Sequence, residues 1–157
     1  MLLCIDVGNT NIVCGVFDKK TLRSTFRLET KIQQTEDEYG IRIIENLEYL
    51  SIDKDYISGI IIASVVPEVD ATLEKVFQKY FSLTPMFVGV GTKTGIKVRL
   101  DHPKQLGSDL LVGAVAACEK YKNPCVVIDM GTATTFTVVN DKKELMGGII
   151  YPGVLTA

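Results

Sequence analysis

Ile128-Asp129-Met130-Gly131-Thr132-Ala133-Thr134-Thr135 is the second appearance of a pattern that opens the chain as Ile5-Asp6-Val7-Gly8-Asn9-Thr10-Asn11. Each copy is a short apolar run that ends in Asp-x-Gly and gives way at once to another apolar run. Placing Asp129 on Asp6 puts Gly131 on Gly8 and Ile128 on Ile5. It also puts Asp141-Lys142-Lys143 on Asp18-Lys19-Lys20 and Leu145 on Leu22, all at one offset. Two hairpins sharing only a turn would not keep that spacing, and a long-period repeat of this kind predicts duplicated architecture.

Working outward, residues 2–7, 12–17 and 21–29 read as a three-strand meander, with a turn at Asp18-Lys19-Lys20. Thr35-Glu36-Asp37-Glu38 is a capping box that opens a helix to about Leu50. The β-branched run 58–66 (SGIIIASVV) predicts a strand buried on both faces. Pro67 starts a second helix, ending near Phe81, with Val69, Leu73, Val76 and Phe77 on one side. A strand at 85–88, a glycine-punctuated loop, a short strand at 97–100 and a helical region from Pro103 through Lys122 follow. Residues 126–150 repeat the opening meander. The division expected is a first half-domain at 1–122 and the opening of a second at 123–157. Judged by the first copy, the second needs roughly a hundred further residues. Paired strand–Asp-x-Gly–strand openings are the signature of the actin and sugar-kinase superfamily. The expected class is α/β, a ribonuclease H-like (actin-like) fold, with a mixed sheet, helices on both faces and a nucleotide held between the two hairpins.

Composition narrows the function. Hydrophobic residues make up 46% and charged residues 23% of the 157 residues, which is ordinary for a globular domain. Seventeen basic against nineteen acidic residues give a net charge of −2 and no basic stripe, so neither nucleic acid nor a membrane surface is an expected partner. The apolar start Met1-Leu2-Leu3-Cys4-Ile5 is broken by Asp6, too early for a signal peptide or a membrane span, so the expected location is cytoplasmic. The four cysteines form no C-x-x-C pair and there is one histidine, His102, which argues against zinc and predicts reduced thiols.

The chemistry sits in three segments. Asp6 at a strand end can hold Mg²⁺ directly or through water, and Gly8 allows backbone N–H groups close to phosphate, with Asn9, Thr10 and Asn11 as short polar donors. Asp129-Met130-Gly131 supplies a second strand-end carboxylate and glycine turn, followed by hydroxyls at Thr132, Thr134 and Thr135. Phosphoryl transfer is mostly positioning and charge neutralisation, so two such clamps suit it. In Asp101-His102-Pro103-Lys104-Gln105-Leu106-Gly107-Ser108-Asp109, Asp109 precedes an apolar helical run. By itself it reads as a helix cap, or as the carboxylate that accepts a substrate hydroxyl's proton. No cysteine–histidine or serine–histidine pair competes. Gly147-Gly148 inside a strand reads as a bulge or as a close backbone approach.

Together these motifs resemble the type III pantothenate kinases. The resemblance runs through IDVGNTN, ASVVPEV, GTKTGIKV, DHPKQLGSDL, IDMGTATT and GGIIYPG, essentially the whole chain. It implies ATP-dependent phosphorylation of the primary hydroxyl of pantothenate, the first step of coenzyme A synthesis. It also implies a homodimer, a divalent metal such as Mg²⁺ and an activating monovalent cation, K⁺ or NH₄⁺. Asp6, Val7, Gly8, Asn9, Thr10, Asn11, Ile12 and Val13 match the family's ATP-phosphate segment, and Thr132 matches an ATP contact. Asp109 matches the general base, Asp129 the monovalent-cation ligand, and Gly107, Ser108 and Asp109 the pantothenate-binding stretch.

The departures cluster around the acceptor. Leu110 stands where the family has arginine, Leu100 where it has tyrosine and His102 where it has asparagine. Two alternatives to an active kinase follow: a catalytically impaired nucleotide-binding regulator on the same fold, and an exopolyphosphatase-like hydrolase, which the ASVVP and GTATT segments disfavour. The 157-residue chain alone is expected to show little or no turnover.

Overall fold

The structure is a computed structural model and describes residues 1–89 and 91–153, the side chain of residue 104 excepted. The chain divides into two compact units, Met1–Val88 and Gly89–Ala157. The last four residues of the sequence-derived segment 123–157 lie outside the described residues.

In the first unit, β1 (Leu2–Val7), β2 (Asn11–Asp18) and β3 (Thr21–Glu29) form the expected meander. Helix α1 (Glu36–Tyr49) starts on the full capping box, in which the Thr35 side chain accepts from Glu38 N–H and the Glu38 carboxylate accepts from Thr35 N–H. Two orphan donors of the first turn are thereby satisfied. β4 (Gly59–Ser64), α2 (Pro67–Phe81) and β5 (Met86–Val88) follow, giving a five-stranded sheet in the order β3-β2-β1-β4-β5. β4 lies parallel to β1 and β5 parallel to β4, while β2 is antiparallel to both β1 and β3. The carboxyl ends of β1, β3, β4 and β5 therefore share one edge. One face carries the core: Leu3, Ile5 and Val7 of β1 and Ile12, Cys14 and Val16 of β2 pack with Tyr39, Ile43 and Leu47 of α1 and Val69, Leu73, Val76 and Phe77 of α2. Burial pushes the Cys14 thiol up to about 12, so it behaves as a small hydrophobe. All four cysteines are free thiols.

The second unit opens with β6 (Lys97–Val98), a 3-10 turn at Pro103–Gln105 and α3 (Ser108–Lys120). The repeated meander is β7 (Cys125–Met130), β8 (Ala133–Val139) and β9 (Glu144–Pro152), in a four-stranded sheet ordered β6-β9-β8-β7. The helical region that the sequence reading attached to residues 1–122 packs here. Ala114 and Cys118 of α3 close a small core with Val139 and Leu145, and Cys125 lies against it.

The repeat is real in register but not in uniform offset. Val7 pairs with Ile12 across residues 8–11, whereas Met130 pairs with Thr134 across residues 131–133, so the second hairpin loop is one residue shorter. The residue is regained in the next turn, because Phe17 pairs with Leu22 while Val139 pairs with Leu145. The bulges agree, falling between Val16 and Phe17 and between Val138 and Val139. Thr134, rather than Thr135, thus stands where Ile12 stands.

With that correction the two grids superpose row by row. Leu3–Val16, Ile5–Cys14 and Val7–Ile12 correspond to Val126–Val138, Ile128–Phe136 and Met130–Thr134. Leu3, Ile5 and Val7 are 0%, 3% and 0% exposed under α1 and α2, but Val126, Ile128 and Met130 are 56%, 56% and 70% exposed. Ile149 and Tyr151 of β9 lie on the same open face, in the places of Phe26 and Leu28. Contiguous exposed apolar surface of this kind marks an interaction site or an aggregation liability. The 157-residue chain is expected to enhance the fluorescence of a hydrophobic dye and to self-associate with rising concentration in sedimentation velocity. Replacing Ile128 and Ile149 by lysine should suppress both effects.

Candidate phosphate and acceptor sites

Ligands of open α/β sheets bind outside the carboxyl ends of parallel strands, and the first Asp-x-Gly turn lies at that edge. Gly8 N–H donates to Asn11 O at 2.9 Å, closing the turn. A Cβ on Gly8 would lie 3.3 Å from Asn11 O, tighter than ordinary contact, which is the local reason for glycine. Asp6 is exposed at the end of β1, and Asn9, Thr10 and Asn11 are exposed on the turn, whereas Val7 and Ile12 are buried anchors and Val13 is half-buried.

What holds the turn was not apparent in the sequence. The Thr30 hydroxyl donates to Gly8 O at 2.7 Å, and Thr30 N–H donates to Thr10 O at 3.0 Å. Thr30 is itself fixed from behind, because the buried Tyr39 hydroxyl accepts from Lys31 N–H at 2.8 Å and donates to Lys31 O at 3.0 Å. Threonine after a strand carries no distinctive signal; only the side-by-side placement of the two turns makes it a buttress.

In the second unit Gly131 N–H donates to Ala133 O at 3.0 Å, the tighter closure that goes with the shorter loop. Asp129 and Thr132 are exposed at this turn. Gly153 seals it from the side: its N–H donates to Thr132 O at 3.1 Å, and a Cβ there would come within 2.5 Å of Gly131 O. The sequence suggested a close backbone approach at Gly147-Gly148, and Gly148 does lie near Phe136 O, at 3.1 Å from an added Cβ, but the tighter approach is at Gly153. Gly153→Ala is therefore expected to lower the stability of this unit by about 1–3 kcal/mol through overpacking, measurable as a lower denaturant midpoint.

Asp109 is the second residue of α3, and the residue at the N-cap position is Gly107, which offers no side chain. The Asp109 carboxylate accepts from Leu110 N–H at 2.8 Å and is half-buried; Ser108 is buried. Leu100 and Leu110 are brought together. They line one cavity of about 260 Å³ with Asp101, His102, Gln105, Leu106, Gly148 and Ile150. Ile150, Thr135 and Asp129 stand in one cross-strand row, so this cavity and the Asp129 carboxylate share a face of the sheet. At about 4.8 Å per strand they are roughly 10 Å apart.

No group of three or more His, Cys, Asp or Glu side chains that could hold a metal is found among the described residues. One strand-end carboxylate per hairpin does fit a cation such as Mg²⁺, which takes one or two carboxylates and completes its shell with phosphate oxygens and water. Among the described residues no helix is long and apolar enough to cross a membrane.

Architecture and paired hairpins define an α/β, ribonuclease H-like unit of the actin-like and sugar-kinase class. A ROK hexokinase from Thermus thermophilus matches over 92% of this chain and 48% of its own, with a TM-score of 0.51 at 13% identity. An Aquifex aeolicus Ppx/GppA phosphatase matches over 98% and 53%, with a TM-score of 0.56 at 14% identity. Such likenesses establish the fold alone. The model of the type III pantothenate kinase family matches residues 2–157, and the chain belongs to that family. A type III pantothenate kinase from Halalkalibacterium halodurans is 46% identical over 155 residues, covering 99% of this chain and 61% of that protein. The chain thus spans less than two thirds of that relative.

Proposed function

We propose that the protein carrying this chain transfers the γ-phosphoryl group of ATP to the primary hydroxyl of pantothenate, giving 4'-phosphopantothenate. The observation that carries this reading is the pair of hairpins built on one register, with Asp6 opposite Val13 and Asp129 opposite the equivalent Thr135. Two strand-end carboxylates beside two glycine turns suit a reaction governed by positioning and charge neutralisation. Family membership over residues 2–157 supports the same chemistry.

In this reading the segment from Asp6 to Val13 receives the ATP phosphates, with Thr30 keeping its turn in shape, and Thr132 contacts the nucleotide from the second hairpin. Asp6 would hold Mg²⁺ together with phosphate oxygens, and Asp129 a monovalent cation, K⁺ or NH₄⁺; bound there, the cations neutralise phosphate charge. Asp109 accepts the proton of the attacking hydroxyl. Gly107 and Ser108 place the start of α3 against the acceptor, beside the cavity lined by Leu100 and Leu110. The two hairpins open two half-domains, and the working enzyme is a cytoplasmic homodimer, as the family resemblance implies.

A second reading has a specific observation behind it. The acceptor cavity has an apolar wall of Leu100, Leu106, Leu110 and Ile150, which favours a relative that binds nucleotide but holds pantothenate weakly. Steady-state kinetics with pantothenate, alongside ATP titration in a calorimeter, separate the two. Ordinary affinity for both ligands supports the kinase, and ATP binding without pantothenate saturation supports the impaired relative.

A further inference from the structure

The cross-strand row that begins at Asp6 does not stop at Val13. Asp6 pairs with Val13 on β2, and Val13 pairs with Arg27 on β3. Residues opposite one another in a sheet share a face, so all three stand on the face turned away from α1 and α2. At about 4.8 Å per strand, Arg27 is roughly 10 Å from Asp6, a gap that a long side chain can narrow by leaning over Val13.

Two features hold Arg27 in that place. The end of β3 is tied to the first Asp-x-Gly turn, because Thr30 donates its hydroxyl to Gly8 O and its N–H to Thr10 O. The β2–β3 register also runs unbroken from Asn11 to Val16, with the bulge only beyond it. Arg27 is exposed and, among the described residues, forms no ion pair. The neighbouring carboxylate on the same face of β3, Glu29, is engaged by Lys31 at 2.9 Å. A guanidinium with its fork of donors open suits an anion with several oxygens.

The second hairpin gives the row its meaning. There the equivalent row is Asp129, Thr135 and Ile150. Its third member is apolar and lines the cavity beside Leu100 and Leu110. Two hairpins on one register thus diverge at the third position, with a cation in one and an apolar side chain in the other.

We propose that Arg27 is a phosphate-binding residue whose guanidinium donates to the β- and γ-phosphate oxygens of ATP beside the first Asp-x-Gly turn. The inference rests on the kinase reading, which brings the phosphates to that hairpin. The competing role for Arg27 is a charge that keeps the free edge of β3 from pairing with another strand. Arg23 is the internal control. It is an exposed arginine of the same strand at the bulge, roughly 13 Å away, where a protective charge would serve equally well.

The test is calorimetric titration of ATP and of AMP, each with Mg²⁺ and without pantothenate, into a full-length enzyme carrying this chain. Arg27→Gln is expected to weaken ATP by about tenfold or more and AMP by less than about twofold. Arg27→Lys keeps the charge but loses the fork, so its ATP affinity should fall between those of the parent and Arg27→Gln. Arg23→Gln should leave both nucleotides within about twofold of the parent. All three variants should keep the parent's thermal midpoint to within about 2 °C, since both arginines are exposed. Unchanged ATP affinity in Arg27→Gln, an equal loss of ATP and AMP, or an equal loss in Arg23→Gln would overturn the proposal. A larger fall in the midpoint of both Arg27 variants would do the same, by making Arg27 a structural residue. A parent that binds no ATP would sink the proposal together with the kinase reading, whereas a parent that binds ATP while Arg27→Gln is silent sinks the proposal alone.

Discussion

Asp109→Asn in a full-length enzyme carrying this chain is expected to lower kcat by about 10²-fold or more while nucleotide affinity stays nearly unchanged. The substitution is conservative in every respect but one. Asparagine has the same volume and keeps an oxygen that can accept from Leu110 N–H, the hydrogen bond that the aspartate makes at 2.8 Å. The first turn of α3 therefore survives, and Gly107 remains at the N-cap position, so no side-chain cap is lost. What asparagine cannot do is accept a proton from an attacking hydroxyl. Stopped-time assays of phosphopantothenate formation give kcat, and calorimetry gives ATP affinity. An unchanged kcat would reduce Asp109 to an acidic residue in a helix's first turn, worth a few tenths of a kcal/mol to the dipole and nothing to the reaction.

Leu100→Tyr combined with Leu110→Arg is expected to lower the KM for pantothenate by at least about tenfold, with the KM for ATP unaltered. Both leucines line the cavity of about 260 Å³, where Leu106 and Ile150 extend the apolar wall. Pantothenate brings a carboxylate, an amide and hydroxyl groups to its site. Each polar group left unpaired on closure costs about 1–3 kcal/mol, roughly 5- to 150-fold in affinity. Arginine would return a planar fork of N–H donors and tyrosine a hydroxyl, neither of which leucine offers. Weaker pantothenate binding in the double variant would instead mean that the leucines belong to a working pocket that grips the apolar part of the acceptor.

Local signals carried most of the elements. The capping box at Thr35, Pro67 at a helix start and the β-branched run 58–66 each depend on neighbours a few residues away; both helices formed where those residues predicted them, and the strand formed over Gly59–Ser64, shorter than the run because Val66 caps the next helix. The repeat was legible as a pattern, yet the slip of β8 was hidden. One residue fewer in the Gly131 loop and one more before Leu145 leave the overall spacing intact, so only hydrogen-bond register reveals it. Thr30, Tyr39 and Gly153 were invisible because their roles depend on partners distant in sequence, or on which backbone oxygen lies alongside. Which unit takes the segment after Val88 was equally hidden, because the amphipathic pattern of α3 records an apolar face without naming the sheet beneath it. The placement of Asp6 and Asp129 was legible, since an Asp-x-Gly that closes an apolar run marks a strand end, and each carboxylate lies exposed at the end of its strand.

The most direct measurement is the fate of phosphate when a full-length enzyme carrying this chain meets ATP, Mg²⁺, K⁺ and pantothenate, followed by ³¹P NMR and mass spectrometry. A pantothenate kinase turns over one ATP for each phosphomonoester formed on the primary hydroxyl, and that product should vanish when pantothenate is left out. ATP consumed with release of inorganic phosphate and no phosphopantothenate, or ATP left intact at saturating pantothenate, would contradict it.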